Sequence, residues 1–229
     1  MTQNRLLGSL PRLEYERLLP KLEPIHLSPG KILYEASDFA RYVYFPANGL
    51  ITLLSTTQEG NSIEVAVVGN EGTTGVPVIT HARRTPYRVV VQIPTDALRC
   101  EASVIEEESK KSGRLNHLLV CYAHSLVAQI AQSAVCNRFH TTVQRYCRWL
   151  LAARDRVESD TIELTHECTA DMLGTPRSVV TVTARNLQKA GLLSHSRRSV
   201  TILNRPGLEA AACECYAIVK EQLCQCVAI

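Results

Sequence analysis

The residues best placed to do chemistry lie between Leu164 and Leu203. Arg177, Thr181 and Arg185 fall at i, i+4 and i+8, so on a helix they share a face, with Ser178 and Val182 beside them. Guanidinium forks, hydroxyls and a methyl-rich side chain are the groups that meet phosphates, base edges and thymine methyls in a major groove. Val180, Ala184 and Leu187 fall at i, i+4 and i+7 and form an apolar stripe for a core. Further on, Ser196, Arg197 and Arg198 sit at the tip of an expected hairpin running from Ser194 to Leu203, where cations would reach a sugar-phosphate backbone. The chemistry indicated is the binding of duplex nucleic acid.

The elements that hold these residues are marked locally. Thr165 can cap a helix running to about Leu173, because its hydroxyl accepts from the orphan N–H groups of the first turn. Gly174 supplies the turn, Pro176 is expected at the first position of a second helix, and Gly191 stops that helix after about Ala190. Helix, short glycine turn, helix is the spacing of a helix-turn-helix, and the basic hairpin beyond it is a wing. Thr165 and Thr175 complete the set of candidate DNA contacts. The whole chain carries only +3, yet Arg177, Arg185, Lys189, Arg197, Arg198 and Arg205 outnumber Glu167 and Asp171 locally. Such concentration of positive charge is the footprint of nucleic-acid binding.

A chain of 229 residues holds one large domain or two small ones, and 45% hydrophobic with 21% charged residues describes a globular protein. No uninterrupted apolar run approaches the roughly 18 residues that would span a bilayer, and the first residues lack the pattern of a secretion signal. No membrane partner is expected. The nine cysteines, an odd number, read as reduced thiols of a cytoplasmic protein rather than a disulfide framework.

Taken in order, about Leu10 to Leu22 has helical spacing and is expected to form one short leading helix. From Ile25, short β-rich runs alternate with Ser28-Pro29-Gly30, Pro46 to Gly49 and Gln58 to Asn61, which is turn chemistry. Strands at this spacing predict a small sandwich or barrel. From Ala102 to about Arg156 there is no proline. Leu119, Tyr122, Leu126, Gln129, Ser133 and Cys136 follow a 3-then-4 spacing and are expected to form the seam of a homodimer. Val143, Cys147 and Leu150-Leu151 suggest a further helix packed on the helix-turn-helix.

With these parts in order, the chain resembles the CRP/FNR family of bacterial transcription regulators over almost its whole length. The carriers are the Leu164–Leu203 segment, the Ser28-to-Tyr34 turn into a strand, and Val68-Gly69-Asn70-Glu71-Gly72. The resemblance implies an α+β fold: an N-terminal double-stranded β-helix, the jelly-roll barrel of cyclic-nucleotide-binding domains, over 1–108; a dimerisation helix over 109–140; and a C-terminal winged helix-turn-helix over 141–229. It implies a regulator, not an enzyme, acting as a homodimer on a palindromic site in double-stranded DNA. Arg177, Ser178 and Val182 match base-reading positions and Arg185 a backbone contact. Members that answer to cyclic AMP hold Arg, Glu and Arg at those reading positions, so a different operator is expected. Activation would add RNA polymerase as a partner; repression needs only occupancy.

The same resemblance places an effector pocket at Gly72, Thr73, Thr74, Gly75 and Arg88. Val76 stands where cyclic-nucleotide binders carry a glutamate. Thr85-Pro86-Tyr87-Arg88 offers no Arg-Ser pair, and Arg83, Arg84 and Arg88 look out of register for the phosphate. No high-affinity cyclic AMP binding is expected; the effector is another molecule or none, and no cofactor is evident. No cysteine precedes Cys100, so an N-terminal iron–sulfur cluster is absent; a haem-ligating role for His26 or His81 is open, but both are isolated and nothing in the sequence supports it. In the tail, Cys213 and Cys224, and Cys215 and Cys226, would stack on two faces of one helix, three turns apart. They are expected to be small apolar core residues with no metal. A redox- or metal-responsive regulator using these cysteines is the alternative. A cupin-type metal enzyme is a weaker one, since there is no His-x-His, Gly-x-Ser-x-Gly or Cys-x-x-Cys.

Overall fold

Short apolar-rich strands punctuated by Gly and Pro turns build the N-terminal half. The computed structural model describes residues 3–80, 82, 84–111 and 113–227, side chains of 225–227 excepted. A short helix, α1 (Arg5–Gly8), precedes the expected leading helix, which is α2 (Arg12–Leu18) continued by a 3-10 turn, Leu19–Lys21; Pro11 and Pro20, which lack an N–H, sit at the breaks. Asn4 caps α1 and also donates to the carbonyls of Pro46 and Gly72 at 2.8 and 2.9 Å, pinning the N-terminus to the sheets.

The strands are β1 (Glu23–Leu27), β2 (Ile32–Tyr34), β3 (Tyr42–Pro46), β4 (Leu50–Thr56), β5 (Ser62–Val68), β6 (Arg88–Ile93) and β7 (Thr95–Glu101), with α3 (Val76–Ile79) after β5. They form a three-stranded antiparallel sheet, β1-β7-β3, and a four-stranded one, β2-β6-β4-β5. Leu27, Val43, Phe45, Ile51, Val68, Val89 and Val91 are buried in their shared core. The expected closed barrel is overturned: among the described residues no ladder joins the two sheets, and each keeps two edges. The reason is visible at β5. The Val67 N–H donates to Gln129 Oε1 at 2.7 Å, and Gln129 Nε2 donates back to the Val67 carbonyl at 3.2 Å. A side chain from a helix thus satisfies the edge where a closing strand would lie.

The helical half follows as α4 (Ala102–Ser109), α5 (Arg114–Phe139), α6 (Thr142–Val157), β8 (Thr161–Glu163), α7 (His166–Leu173), α8 (Arg177–Lys189), β9 (Leu193–His195), β10 (Ser199–Ile202), α9 (Arg205–Ala211) and α10 (Cys215–Val227). Helix α5 ends where His140 turns extended, and α6 restarts at once behind a Thr141/Gln144 capping box. By length and hydropathy α5 could cross a membrane. Here one side packs on the β5 sheet and another on α10, where Ser125 Oγ donates to the Gln222 carbonyl at 3.0 Å.

Tail geometry differs from expectation too. Cys213 lies before α10, which begins at Cys215, so Cys213 and Cys224 are not stacked along one helix, while Cys215 and Cys226 both belong to α10. The side chain of Cys226 lies outside the described residues.

The two halves share a core. Leu50, Val67 and Ile93 of the sheets pack with Tyr146, Trp149 and Leu150 of α6. Within this interface Trp149 Nε1 donates to Glu64 Oε2 at 3.1 Å. Burial pushes the Glu64 carboxyl up to about 7, against the pull of Arg148 and the Trp149 hydrogen bond. Nearby, Arg156 Nε and Glu71 Oε1 form an ion pair at 2.9 Å with both side chains buried.

Candidate nucleic-acid interface

Thr165 opens α7 as an N-cap, its hydroxyl accepting from the Cys168 N–H at 3.2 Å. Gly174 closes it at φ +55°, a left-handed turn that glycine enters without steric cost. Pro176 sits at the N-cap of α8 rather than inside it, so Arg177 is the first helical residue. Val180, Ala184 and Leu187 are buried as the periodicity implies, and Thr183 joins them. Behind α8, β8, β10 and β9 form a three-stranded sheet.

Helix α8 turns Arg177, Ser178, Val182 and Arg185 to solvent. Val182, an apolar residue, is 56% exposed, which costs hydrophobic free energy unless something covers it. Arg177 is held at 2.8 Å by Glu167, with both side chains exposed, so the contact is exchangeable. Thr181 has its hydroxyl engaged inside the protein: it donates to the Arg177 carbonyl at 3.0 Å and meets His166 Nδ1 at 3.1 Å. Thr165 and Thr175 are half-buried. At the wing tip Arg197 and Arg198 are exposed, while Ser196 builds the turn, its oxygen accepting from the N–H groups of Arg198 and Ser199. The wing is anchored by His195, whose ring nitrogen meets Tyr146 OH at 2.9 Å and whose ring packs edge-on to His166. Burial holds His195 below the usual histidine range, which favours its neutral form.

In the sensor half a cavity of about 200 Å³ opens between α3, β4, β6 and α5. Of the residues expected there, Thr73 and Thr74 line it. Gly72, Gly75 and Arg88 do not. Gly72 lies against Tyr122, whose ring carbons would be 2.1 Å from an added Cβ; Gly75 caps α3; Arg88 is paired with Glu35 at 2.7 Å. Among the described residues the cation that lines the cavity is Arg84, which the sequence places out of register; Thr85 lies beside it. Its guanidinium lies over the Phe39 ring and donates to the Ser37 carbonyl at 2.6 Å. Among the described residues no carboxylate lines the cavity. His81 and Arg83 lie outside the described residues. His26 is an exposed partner of Asp96 across β1 and β7.

The residues expected at the dimer seam are covered within the single chain: Leu119, Tyr122, Leu126, Gln129 and Ser133 are all buried, the first three in the sensor core and Gln129 on β5. The exposed side of α5 carries a second stripe with the same alternation: His117, Val120, His124, Val127, Ala131, Ala134 and Arg138. Val120 and Val127 are 53% and 62% exposed. A 3-then-4 spacing repeated on two sides of one helix is readable in the sequence, but only the position of the sheet separates them.

The profile of the Crp-like helix-turn-helix domain matches residues 144–211, and that of the cyclic nucleotide-binding domain matches 24–112. The chain belongs to the CRP/FNR family of transcription regulators. A curated relative is a global nitrogen regulator of Synechocystis, 24% identical over 215 residues, covering 89% of this chain and 94% of that protein. Among solved structures it is similar to FixK2 from Bradyrhizobium japonicum (TM-score 0.68, 16% identity, 84% of this chain and 98% of that one). It is also similar to a crp/fnr-family regulator from Eubacterium rectale (TM-score 0.62, 19% identity, 90% and 96%). At such identities the structural likeness speaks for the fold. With both family profiles in place, the chain is a DNA-binding transcription regulator with a dimerisation helix.

Proposed function

We propose that two copies join along the Val120–Ala134 side of α5 and set their α8 helices into successive major grooves of a palindromic operator, about 34 Å apart. Arg177, Ser178 and Val182 read base edges, Arg185 contacts phosphate, and Arg197 and Arg198 hold the backbone beside the groove. The observation carrying this reading is the outward face of α8, where a guanidinium, a hydroxyl and an uncovered valine stand together over a buried apolar stripe. Breaking the exposed Arg177–Glu167 contact on binding costs little, because surface pairs are worth at most about 1 kcal/mol. Arg177→Ala is expected to weaken binding to a selected operator by roughly 10- to 100-fold per half-site while leaving binding to random duplex nearly unchanged. Unaltered discrimination in a competition shift assay would remove Arg177 from the reading set.

The sensor cavity is proposed to serve an effector other than cyclic AMP, or none. Arg84 already spends its guanidinium on Phe39 and Ser37, and the cavity is below the roughly 300 Å³ of ordinary small-molecule sites. Calorimetry with cyclic AMP is expected to show no micromolar binding; a saturable isotherm in that range overturns this part of the reading. The domain assignment, sensor over 1–108, dimerisation helix over 109–140 and DNA-binding part over 141–229, is proposed with one amendment: α10 returns to pack along α5.

A further inference from the structure

Three cysteines and a histidine from distant parts of the chain converge where the dimer helix meets the DNA-binding half. Cys136 and His140 are one helical turn apart at the end of α5, and Cys213 and Cys215 flank the start of α10. The four donor atoms all lie within 4.8 Å of one another. Cys136 Sγ is 3.6 Å from Cys213 Sγ, and Cys215 Sγ is 3.5 Å from His140 Nδ1. A tetrahedral ion with bonds of about 2.3 Å to sulfur and about 2.0 Å to nitrogen sets two sulfurs about 3.8 Å apart, and sulfur and nitrogen about 3.5 Å apart. The spacing in the protein is that of ligands around a single ion. Iron–sulfur clusters spread their thiolates over separate irons and suit so tight a group poorly.

The surroundings agree. The three cysteines are buried against one another, apart from both main cores, so they do not act as the apolar filler expected of them. Cys100 and Cys147 do, packed in the main cores. His140 turns Nδ1 toward Cys215 and directs Nε2 at Glu214 Oε1, 3.2 Å away. A carboxylate on the far ring nitrogen is the arrangement that fixes the tautomer of a metal-bound histidine. Gln132 Nε2 donates to Cys215 Sγ at 3.1 Å. Arg145 and Arg148 act electrostatically on the sulfurs. They would offset the net negative charge of three thiolates on a divalent ion. Among the described residues the buried Arg148 Nε–H has no hydrogen-bond partner.

We propose that Cys136, His140, Cys213 and Cys215 bind one zinc-type ion, which staples the C-terminal helix to the hinge between α5 and α6. Closed by four protein ligands, the site is structural rather than catalytic. Binding displaces the thiol protons, so the site loads better as pH rises.

The test uses full-length, tag-free protein purified under reducing conditions without added metal. Elemental analysis is expected to give about one zinc per chain. After removal of that zinc, one equivalent of Co²⁺ should produce thiolate-to-metal charge-transfer absorption. Zinc should protect Cys136, Cys213 and Cys215 from alkylation, read by peptide mass spectrometry, and leave Cys121 reactive. The double variant Cys136→Ala/Cys213→Ala should lose the metal, while Cys168→Ala keeps it. Because Glu214 is exposed, Glu214→Ala leaves the fold intact and should weaken metal affinity by about 10-fold. Sub-stoichiometric metal together with no Co²⁺ absorption, metal retained in the double variant, or a Cys136–Cys213 disulfide in the reduced preparation would each overturn the proposal. None of these outcomes alters operator discrimination by Arg177, so the two readings fail separately.

Discussion

Val127→Glu is expected to turn the dimer into a folded monomer and to lower affinity for a palindromic duplex by at least about 100-fold. The side chain stands at the middle of the exposed α5 stripe and is largely uncovered in the single chain, so the monomer tolerates a carboxylate there. In the dimer two such carboxylates meet near the two-fold axis, with like charges desolvated against each other. Operator binding then loses its second half-site, and linked binding modules exceed either alone by about 10²- to 10⁴-fold. Sedimentation shows the mass, far-UV dichroism the fold, and a shift assay the affinity. A charge at Leu126, on the buried side, should instead unfold the sensor half, because that residue is 3% exposed. If Val127→Glu remained dimeric at micromolar concentration, the outward stripe would not be the interface.

The second large effect is expected at Arg156. Its guanidinium pairs with Glu71 at 2.9 Å with both side chains buried, and Nη1 donates to the Ala152 carbonyl. The pair ties the loop leading into the sensor cavity to the last turn of α6. Arg156→Met leaves Glu71 buried without its cation, a loss of about 3–5 kcal/mol, or on the order of 10 °C in melting temperature for a chain of this size. Adding Glu71→Gln should recover most of it, since a neutral amide oxygen can still accept from the Gly69 N–H as Glu71 does now. Urea unfolding at fixed protein concentration measures both variants. A single variant within about 1 kcal/mol of the parent would show that the pair does not hold the halves together.

These expectations separate what nearest neighbours dictate from what they cannot. The Thr165 cap, the Gly174 and Gly191 turns, the buried Val180–Leu187 stripe and the basic hairpin were legible because each depends on residues within a few positions. The sequence places the α8 start one residue early, because proline serves equally well just before a helix as at its first position. Sheet closure was not legible, since the residue that satisfies the β5 edge, Gln129, lies 62 positions from its partner Val67. Arg84 reads as out of register because its place on the cavity wall depends on tertiary packing, not on a motif.

By itself the sequence determined the kind of molecule this is: a regulator with a reading helix, a wing and a long helix, since periodicity, caps and charge are properties of local chain chemistry. Only the tertiary structure decided which of two equally spaced α5 stripes is free for a partner, because burial is set by the sheet that packs there. It also decided that Cys136 and Cys213, 77 residues apart, stand within contact distance. Spacing along a chain carries no information about where a hinge and a returning helix bring it back upon itself.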